Sequence, residues 1–278
     1  MTGKWNELKN MAWALAIIVC LLALAVAFVI ASVNRYSGDT MAQNTELKSE
    51  TVANSSNVVE LTAGEGGGAL LTLPETNDAG QEYIDKLTFI CDSSFVGVRD
   101  YGLLSGGTGT YQVWATETGS LPIGSIMDKK IIYPSDGSEI SIADAAMIAK
   151  PPVMVICVGQ DGLNAVDEAG FKNSYTNLVQ TLKTASPDSI IICCSITSVL
   201  NNYTGADNLT TIMISDANDW IKDVCQNQGV YFAESGKAVG DGTGSVLSSY
   251  LSNNGKTLNS SGINEILEYL RRHALNLD

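Results

Sequence analysis

The sequence predicts an α/β protein: a three-layer sandwich around a central five-stranded parallel sheet, carried behind one N-terminal transmembrane helix. Three observations lead there. From Glu82 onward, short apolar runs alternate with longer amphipathic segments. Two of those runs, 153–158 (VMVICV) and 189–194 (SIIICC), are apolar throughout, which marks strands covered on both faces and so a parallel sheet. Residues 11–33 carry no charge over a length that crosses a bilayer core as a helix.

The N-terminal elements come first. Lys4 and Lys9 precede the apolar run against one acid, Glu7, and mostly acidic sequence follows Arg35. This asymmetry predicts a cytoplasmic tail over 1–10, a single-pass membrane helix over 11–33 and an extracytoplasmic remainder at the cell membrane. A cleaved signal peptide is the competing reading, although its apolar region is usually shorter. Val19 is too large for the residue preceding a lipoprotein Cys20, and NRYSGDT breaks the helix too soon for a pilin-like stalk. Residues 34–81 are rich in Ser, Thr, Asn, Glu and Gly without a sustained period, and are expected to be a flexible linker.

Within 82–278, strands are predicted at 86–91 (KLTFIC), 110–115 (TYQVWA), 153–158, 189–194 and 229–233 (GVYFA). Helices are predicted between them. Residues 167–185 carry Phe171, Tyr175, Leu178, Val179 and Leu182 at helical spacing and stop at Ser186-Pro187. Residues 207–229 carry Leu209, Ile212, Met213, Trp220, Ile221 and Val224 and end at Gly229. Residues 261–275 carry Ile263, Ile266, Leu267 and Leu270 on one face. Strand–helix alternation of this kind gives parallel strands joined by crossovers.

Composition narrows the function. The chain has 278 residues, 45% hydrophobic and 17% charged, with a formal net charge of −14. Such a surface repels phosphate backbones, so no nucleic-acid partner is expected, and charge alone does not draw it to anionic lipid. The six cysteines form no CxxC or Cys/His cluster, so no metal or other cofactor is expected. Cys91, Cys157, Cys193 and Cys194 lie in apolar runs and read as buried thiols. A Cys91–Cys157 bridge stays open should their strands be neighbours in an oxidising compartment.

Chemistry in an open parallel sheet sits beyond the carboxyl ends of its strands. Two loops leave such ends: Asp92-Ser93-Ser94 after the first strand, and GQDGL (159–163) after VMVICV. The first puts the Ser93 hydroxyl at the mouth of a buried strand, as a nucleophile requires.

From residue 73 to the end, the ordered set of segments resembles the SGNH, or GDSL-like, hydrolases, particularly the membrane-tethered bacterial ones. LPETNDAGQEYIDKLTFICDSSFVGVRDYG resembles their nucleophile block, PPVMVICVGQDGL their third block, YTNLVQTLKTASPDSIIICCSITSV the helix and strand that follow, and LNSSGINEILEYLRRHA the terminal helix. The resemblance implies a flavodoxin-like sheet and acyl transfer from esters by serine, histidine and aspartate, with an oxyanion hole. It places the nucleophile at Ser93 and the oxyanion positions at Gly119, Gly159 and Asp161. Asp161 stands where the family has asparagine. The family's orienting aspartate and base histidine fall on Asn254 and Thr257.

These departures imply a degenerate centre. Threonine has no protonation change near neutral pH, so Ser93 lacks a base. A carboxylate at 161 puts negative charge where an oxyanion would form. The lone histidine, His273, falls eleven residues into the last helix from Gly262, roughly 16 Å along its axis. It is expected at the far end of the sheet, as a helix C-terminal cation. Asp92 is a poor base for Ser93 because adjacent residues seldom reach the needed geometry. Residues 240–244 (GDGTG) lack the strand–helix context of a phosphate loop and read as a flexible loop. Tyr111 and Trp114 read as core.

The function expected on these grounds is a membrane-anchored, extracytoplasmic SGNH-like protein that binds an envelope ligand such as an acylated glycan, or acts as a scaffold. An active serine esterase or acetylesterase on envelope or extracellular glycans, with Ser93 and a non-standard base, is the alternative. It would be favoured by a carboxylate or lysine within about 3 Å of the Ser93 hydroxyl. An unrelated α/β surface module is a third reading, which a strand order unlike a doubly wound sheet would favour.

Overall fold

The computed structural model describes residues 68–277. The expected cytoplasmic tail, the membrane helix at 11–33 and most of the 34–81 linker lie outside these residues. Among the described residues, no helix is long and apolar enough to cross a membrane.

The strands are β1 (Leu71–Thr72), β2 (Leu87–Cys91), β3 (Val113–Trp114), β4 (Lys130–Ile132), β5 (Glu139–Ser141), β6 (Val153–Cys157), β7 (Ile190–Cys194) and β8 (Tyr231–Ala233). The helices are α1 (Gly80–Ile84), α2 (Gly97–Asp100), α3 (Ile142–Ala149), α4 (Glu168–Ala185), α5 (Thr211–Gln228) and α6 (Ser260–Arg272). The main sheet runs β1-β8-β7-β6-β2-β3 with every pairing parallel, and β4 and β5 form a separate antiparallel pair.

The central sheet therefore has six strands rather than five. The extra one, β1, comes from the stretch expected to be linker and pairs through Leu71↔Tyr231 and Thr72↔Phe232. Two residues are too few to show a period of two, so nothing in the sequence marked them. The β4–β5 pair and α3 were also unforeseen, and the strand expected at 110–115 shortens to Val113–Trp114.

Apolar runs become strands buried on both faces because their side chains alternate between two cores. On β6, Met154 and Ile156 join the core beneath α3, α4 and α5, while Val153, Val155 and Cys157 join the core beneath α1 and α6. All five β6 residues are buried. Burying a Val, Ile or Met side chain of this kind stabilises by about 1.5–3 kcal/mol. The crossover helices stop where their sequences say: α4 starts on the Asp167 cap, which accepts from Gly170 N–H, and α5 ends on left-handed Gly229. Helix α5 begins at Thr211 on a Thr210 cap, a turn later than its apolar pattern suggested.

Trp114 is buried as expected, but Tyr111 is 69% exposed, because it lies before β3 begins rather than within it. Cys91, Cys157, Cys193, Cys194 and Cys225 are buried free thiols. Cys91 faces Cys157 across adjacent strands, as the open bridge required, yet both remain reduced. Burial pushes the Cys157 thiol well up from its ordinary value, which keeps it protonated and unreactive. The 240–244 loop is a pinned hairpin rather than a flexible one. Gly240 bridges Val246, and the Asp241 carboxylate accepts from Thr243 N–H, Thr243 Oγ1 and Ser245 N–H.

Candidate functional site

The register Cys91↔Cys157 brings Ser93 and Gly159, each two residues beyond, to the carboxyl ends of neighbouring strands. The chain leaves β2 in a turn closed by Phe95 N–H and Val96 N–H on the Asp92 carbonyl, and enters α2. Gly97 is needed there, since a Cβ would lie 2.8 Å from Ile263 Cδ1 of α6. Gly159 has φ +124°, and a Cβ on it would meet Ile196 Cδ1 at 2.9 Å, so both conformation and space demand glycine.

Two carboxylates hold the two loops together. Asp92 is fully buried. Its Oδ2 accepts the backbone N–H groups of Gly159, Gln160 and Asp161 at 2.9, 2.9 and 3.1 Å, and its Oδ1 accepts Ser94 N–H and Ser94 Oγ–H. Burial pushes its pKa up, the Asp161 charge adds to this, and the Ser94 and backbone hydrogen bonds pull against both. Asp92 makes no bond to Ser93 Oγ; it staples the β6 loop to the β2 loop.

Asp161 puts its charge where the sequence suggested, and it also binds the nucleophile position itself. Its Oδ1 accepts the Ser93 hydroxyl at 2.5 Å. Its Oδ2 accepts two backbone donors, Ser93 N–H and Leu121 N–H, each at 3.1 Å. A pair of convergent N–H groups, one belonging to the nucleophile position itself, is the arrangement that receives an oxyanion. Here an internal carboxylate fills it.

The remaining predicted residues fall as follows. Gly119 does not face the hole: its N–H donates to Thr116 O, and the second donor is Leu121, two residues on. Gly159 directs its N–H at Asp92. Asn254 and Thr257 bond each other, Nδ2 to Oγ1 at 2.9 Å, and Asn254 Oδ1 accepts the N–H groups of Lys256 and Thr257. Their loop does reach the Ser93 site, but through Lys256, whose Nζ lies 3.7 Å from Asp161 Oδ1 and 2.8 Å from Asp207 Oδ2. His273 is remote: it stacks on Tyr269 at the end of α6, where the following Leu275 N–H meets Tyr83 of α1, ahead of β2. That is the amino end of the sheet.

Lys256, Asp207 and Leu121 were missed. Lys256 adjoins the position expected to hold the base, which was the one signal available. Burial works against its charge, but the hydrogen bond to Asp207 and the charges of Asp161 and Asp207 outweigh it and raise its pKa. It stays an ammonium and cannot take a proton from Ser93. Asp207 is the mirror case. Burial pushes its pKa up, but the Lys256 and Tyr203 hydrogen bonds prevail and the net shift is downward. Because its folded value lies below its unfolded one, the pair's contribution is full above about pH 4 and is lost as pH falls through the folded value. The urea midpoint of wild type over Asp207→Asn should therefore shrink below about pH 4. A difference constant down to pH 2 would show that the charge on Asp207 contributes nothing.

Among the described residues no cluster of His, Cys, Asp and Glu side chains is arranged to hold a metal ion.

No family model matches the chain, and no curated protein matches it. Solved structures do. One from Streptococcus pneumonia, provisionally described as a platelet activating factor, aligns at TM-score 0.50 and 16% identity over 71% of this chain and 91% of its own. A Parabacteroides merdae protein, provisionally described as a GDSL-like lipase, aligns at TM-score 0.48 and 12% identity over 73% and 98%. An acetylxylan esterase from Geobacillus stearothermophilus aligns at 0.42 and 12% over 75% and 98%. The likeness to the Streptococcus pneumonia structure, at 16% identity, is one of fold.

Proposed function

We propose that this chain is a membrane-anchored, extracytoplasmic SGNH/GDSL-hydrolase-like protein whose hydrolase centre has been silenced, and that it serves the cell envelope by binding a ligand such as an acylated glycan or as a scaffold. The observation that carries this reading is the seating of Asp161 on both oxyanion donors and on the Ser93 hydroxyl. An ester carbonyl needs the space its carboxylate fills and would meet negative charge at the oxygen where charge must develop. Thr257 and Asn254 leave no base or orienter in the family's positions, and Lys256 is locked as a cation between two carboxylates.

One observation favours the active-esterase reading. A carboxylate oxygen 2.5 Å from Ser93 Oγ is within reach of its proton. Asp161 would then be the non-standard base. Its other oxygen, however, occupies the hole, so the same group would have to activate the nucleophile and leave the oxyanion site in one step. Full-length protein assayed on p-nitrophenyl acetate decides. The expected rate equals that of Ser93→Ala. Clear wild-type turnover that Ser93→Ala abolishes would overturn the silenced centre and establish the esterase.

The anchoring part of the proposal rests on the uncharged run at 11–33 and on Lys4 and Lys9 before it. Protease added to intact cells or protoplasts should degrade or release the domain. A domain fully protected until the membrane is breached would reverse the orientation.

A further inference from the structure

A cavity of about 580 Å³ opens beyond β7 and β8, between α5 and the 236–246 loop. It does not include Ser93 and plays no part in the chemistry above. Its volume is that of a small-molecule site. The apolar side chains in its wall, Ile196, Ile214, Phe232 and Val246, are buried and offer a ligand little surface. The lining side chains that stay open are polar. Thr211, Ser215, Asp219 and Lys222 recur at helical spacing and so share one face of α5, and Glu234 and Lys237 line the cavity with them. Their bonding capacity is only partly used. The Thr211 and Ser215 hydroxyls have no partner among the described residues. Lys222 Nζ donates to Asp219 Oδ1 at 2.9 Å, and Lys237 Nζ to Glu234 Oε2 at 2.5 Å. Each pair cancels its own charge and leaves one carboxylate oxygen to accept and ammonium hydrogens to donate.

Ligand classes meet this wall differently. An anion would have to sit beside both carboxylates or break a pair to reach a lysine. An apolar chain would strip water from two hydroxyls and two ion pairs and return no hydrogen bond. A neutral polyol donates and accepts at every hydroxyl, so it can use the open oxygens and the open hydrogens together without disturbing either pair. We infer that this cavity binds a short neutral saccharide, its hydroxyls bonding Thr211, Ser215 and the half-used Lys222–Asp219 and Lys237–Glu234 pairs. The glycan of the envelope ligand proposed above, on whose ligand-binding part this rests, then has a seat apart from Ser93.

The test is saturation-transfer NMR on the full-length protein in nanodiscs, with cellobiose, xylobiose, lactose and diacetylchitobiose as neutral probes. At least one should receive magnetisation from the protein, and neither glucuronate nor n-octanol should displace it. Ser93→Ala should leave the signal whole. Thr211→Val, which trades a hydroxyl for a methyl of similar size, should weaken affinity about fivefold, the worth of one net hydrogen bond. Ser215→Trp, at an exposed helix position, should fill the cavity and abolish binding. Should that variant melt below wild type, Thr211→Val decides, and unchanged affinity there overturns the proposal. Silence from all four probes overturns it, as does displacement by glucuronate or octanol. Binding that survives a folded Ser215→Trp sinks the cavity site and leaves the envelope-ligand reading standing, whereas Ser93-dependent ester turnover sinks the silenced centre alone.

Discussion

Asp161→Asn, Asn254→Asp and Thr257→His combined should turn this protein into a Ser93-dependent esterase. Each change removes one obstacle visible in the site. An asparagine at 161 has one acceptor oxygen; keeping that on Ser93 Oγ would set its NH2 group against the Ser93 and Leu121 N–H groups. Turned about, it can instead place its oxygen on those two N–H groups and its NH2 group on Ser93 Oγ, but a neutral amide is displaced by an incoming ester carbonyl more readily than a carboxylate and leaves an amide donor beside the hole. An aspartate at 254 keeps the oxygen that accepts the N–H groups of Lys256 and Thr257. Its second oxygen can then orient a histidine at 257. A positioned base contributes about 10²–10⁴ in rate, and an oxyanion donor about 10²–10³. These groups act as a unit, so single changes should do little and the triple variant should gain at least about 10³ on p-nitrophenyl acetate. Adding Ser93→Ala should return it to background. A folded triple variant that stays at background would show that the Thr257 loop is not a degraded relay.

The largest stability effect is expected at Asp92. Asp92→Ala removes the acceptor of five donors, three of them backbone N–H groups of the β6 loop. A buried polar network broken on one side typically costs about 3–5 kcal/mol. Urea unfolding should show that loss as a lower midpoint with an unchanged slope. Asp92→Asn should cost less at the β6 loop, because its oxygen still accepts those three groups, but its NH2 group would confront Ser94 N–H. There is a pH signature as well. The folded pKa of Asp92 is raised, so its contribution is fullest below the ordinary carboxylate value and declines as pH rises through the folded one. Asp92→Asn should remove that decline. A midpoint unchanged in both variants would mean the two loops are held by something else.

How much of this could be read from the residues depends on run length and on sequence separation. Runs such as VMVICV and SIIICC announced β6 and β7 because short apolar runs rich in Val and Ile, each preceded by proline and turn residues, suit a strand covered on both faces. Leu71–Thr72 could not, since a two-residue edge strand has no pattern and is set by its partner β8. At the site, Ser93 was legible as the first polar turn after an apolar strand, and the charge at Asp161 was legible as a misfit. What that charge does was not: its partners come from residues 40 and 68 positions away, and side-chain direction decides whether a carboxylate repels a site or fills it. Lys256 was hidden because an ordinary lysine in a polar loop reads as solvated until Asp161 and Asp207 are seen around it.

The edge strand β1 gives the fold a weak mechanical seam. It runs parallel to β8 and is aligned over only two residue pairs. Tension applied from the N-terminal side would load that short pairing in shear before it reached β6, which is flanked on both sides by strands paired over four or five residues. Peeling Leu71 and Thr72 away would lengthen the lead by about 3.3 Å per residue and leave Ser93, Asp92 and the Asp161 seat undisturbed. The domain could thus yield at its leading edge under load as a short extensible link while the rest of the sheet stays whole.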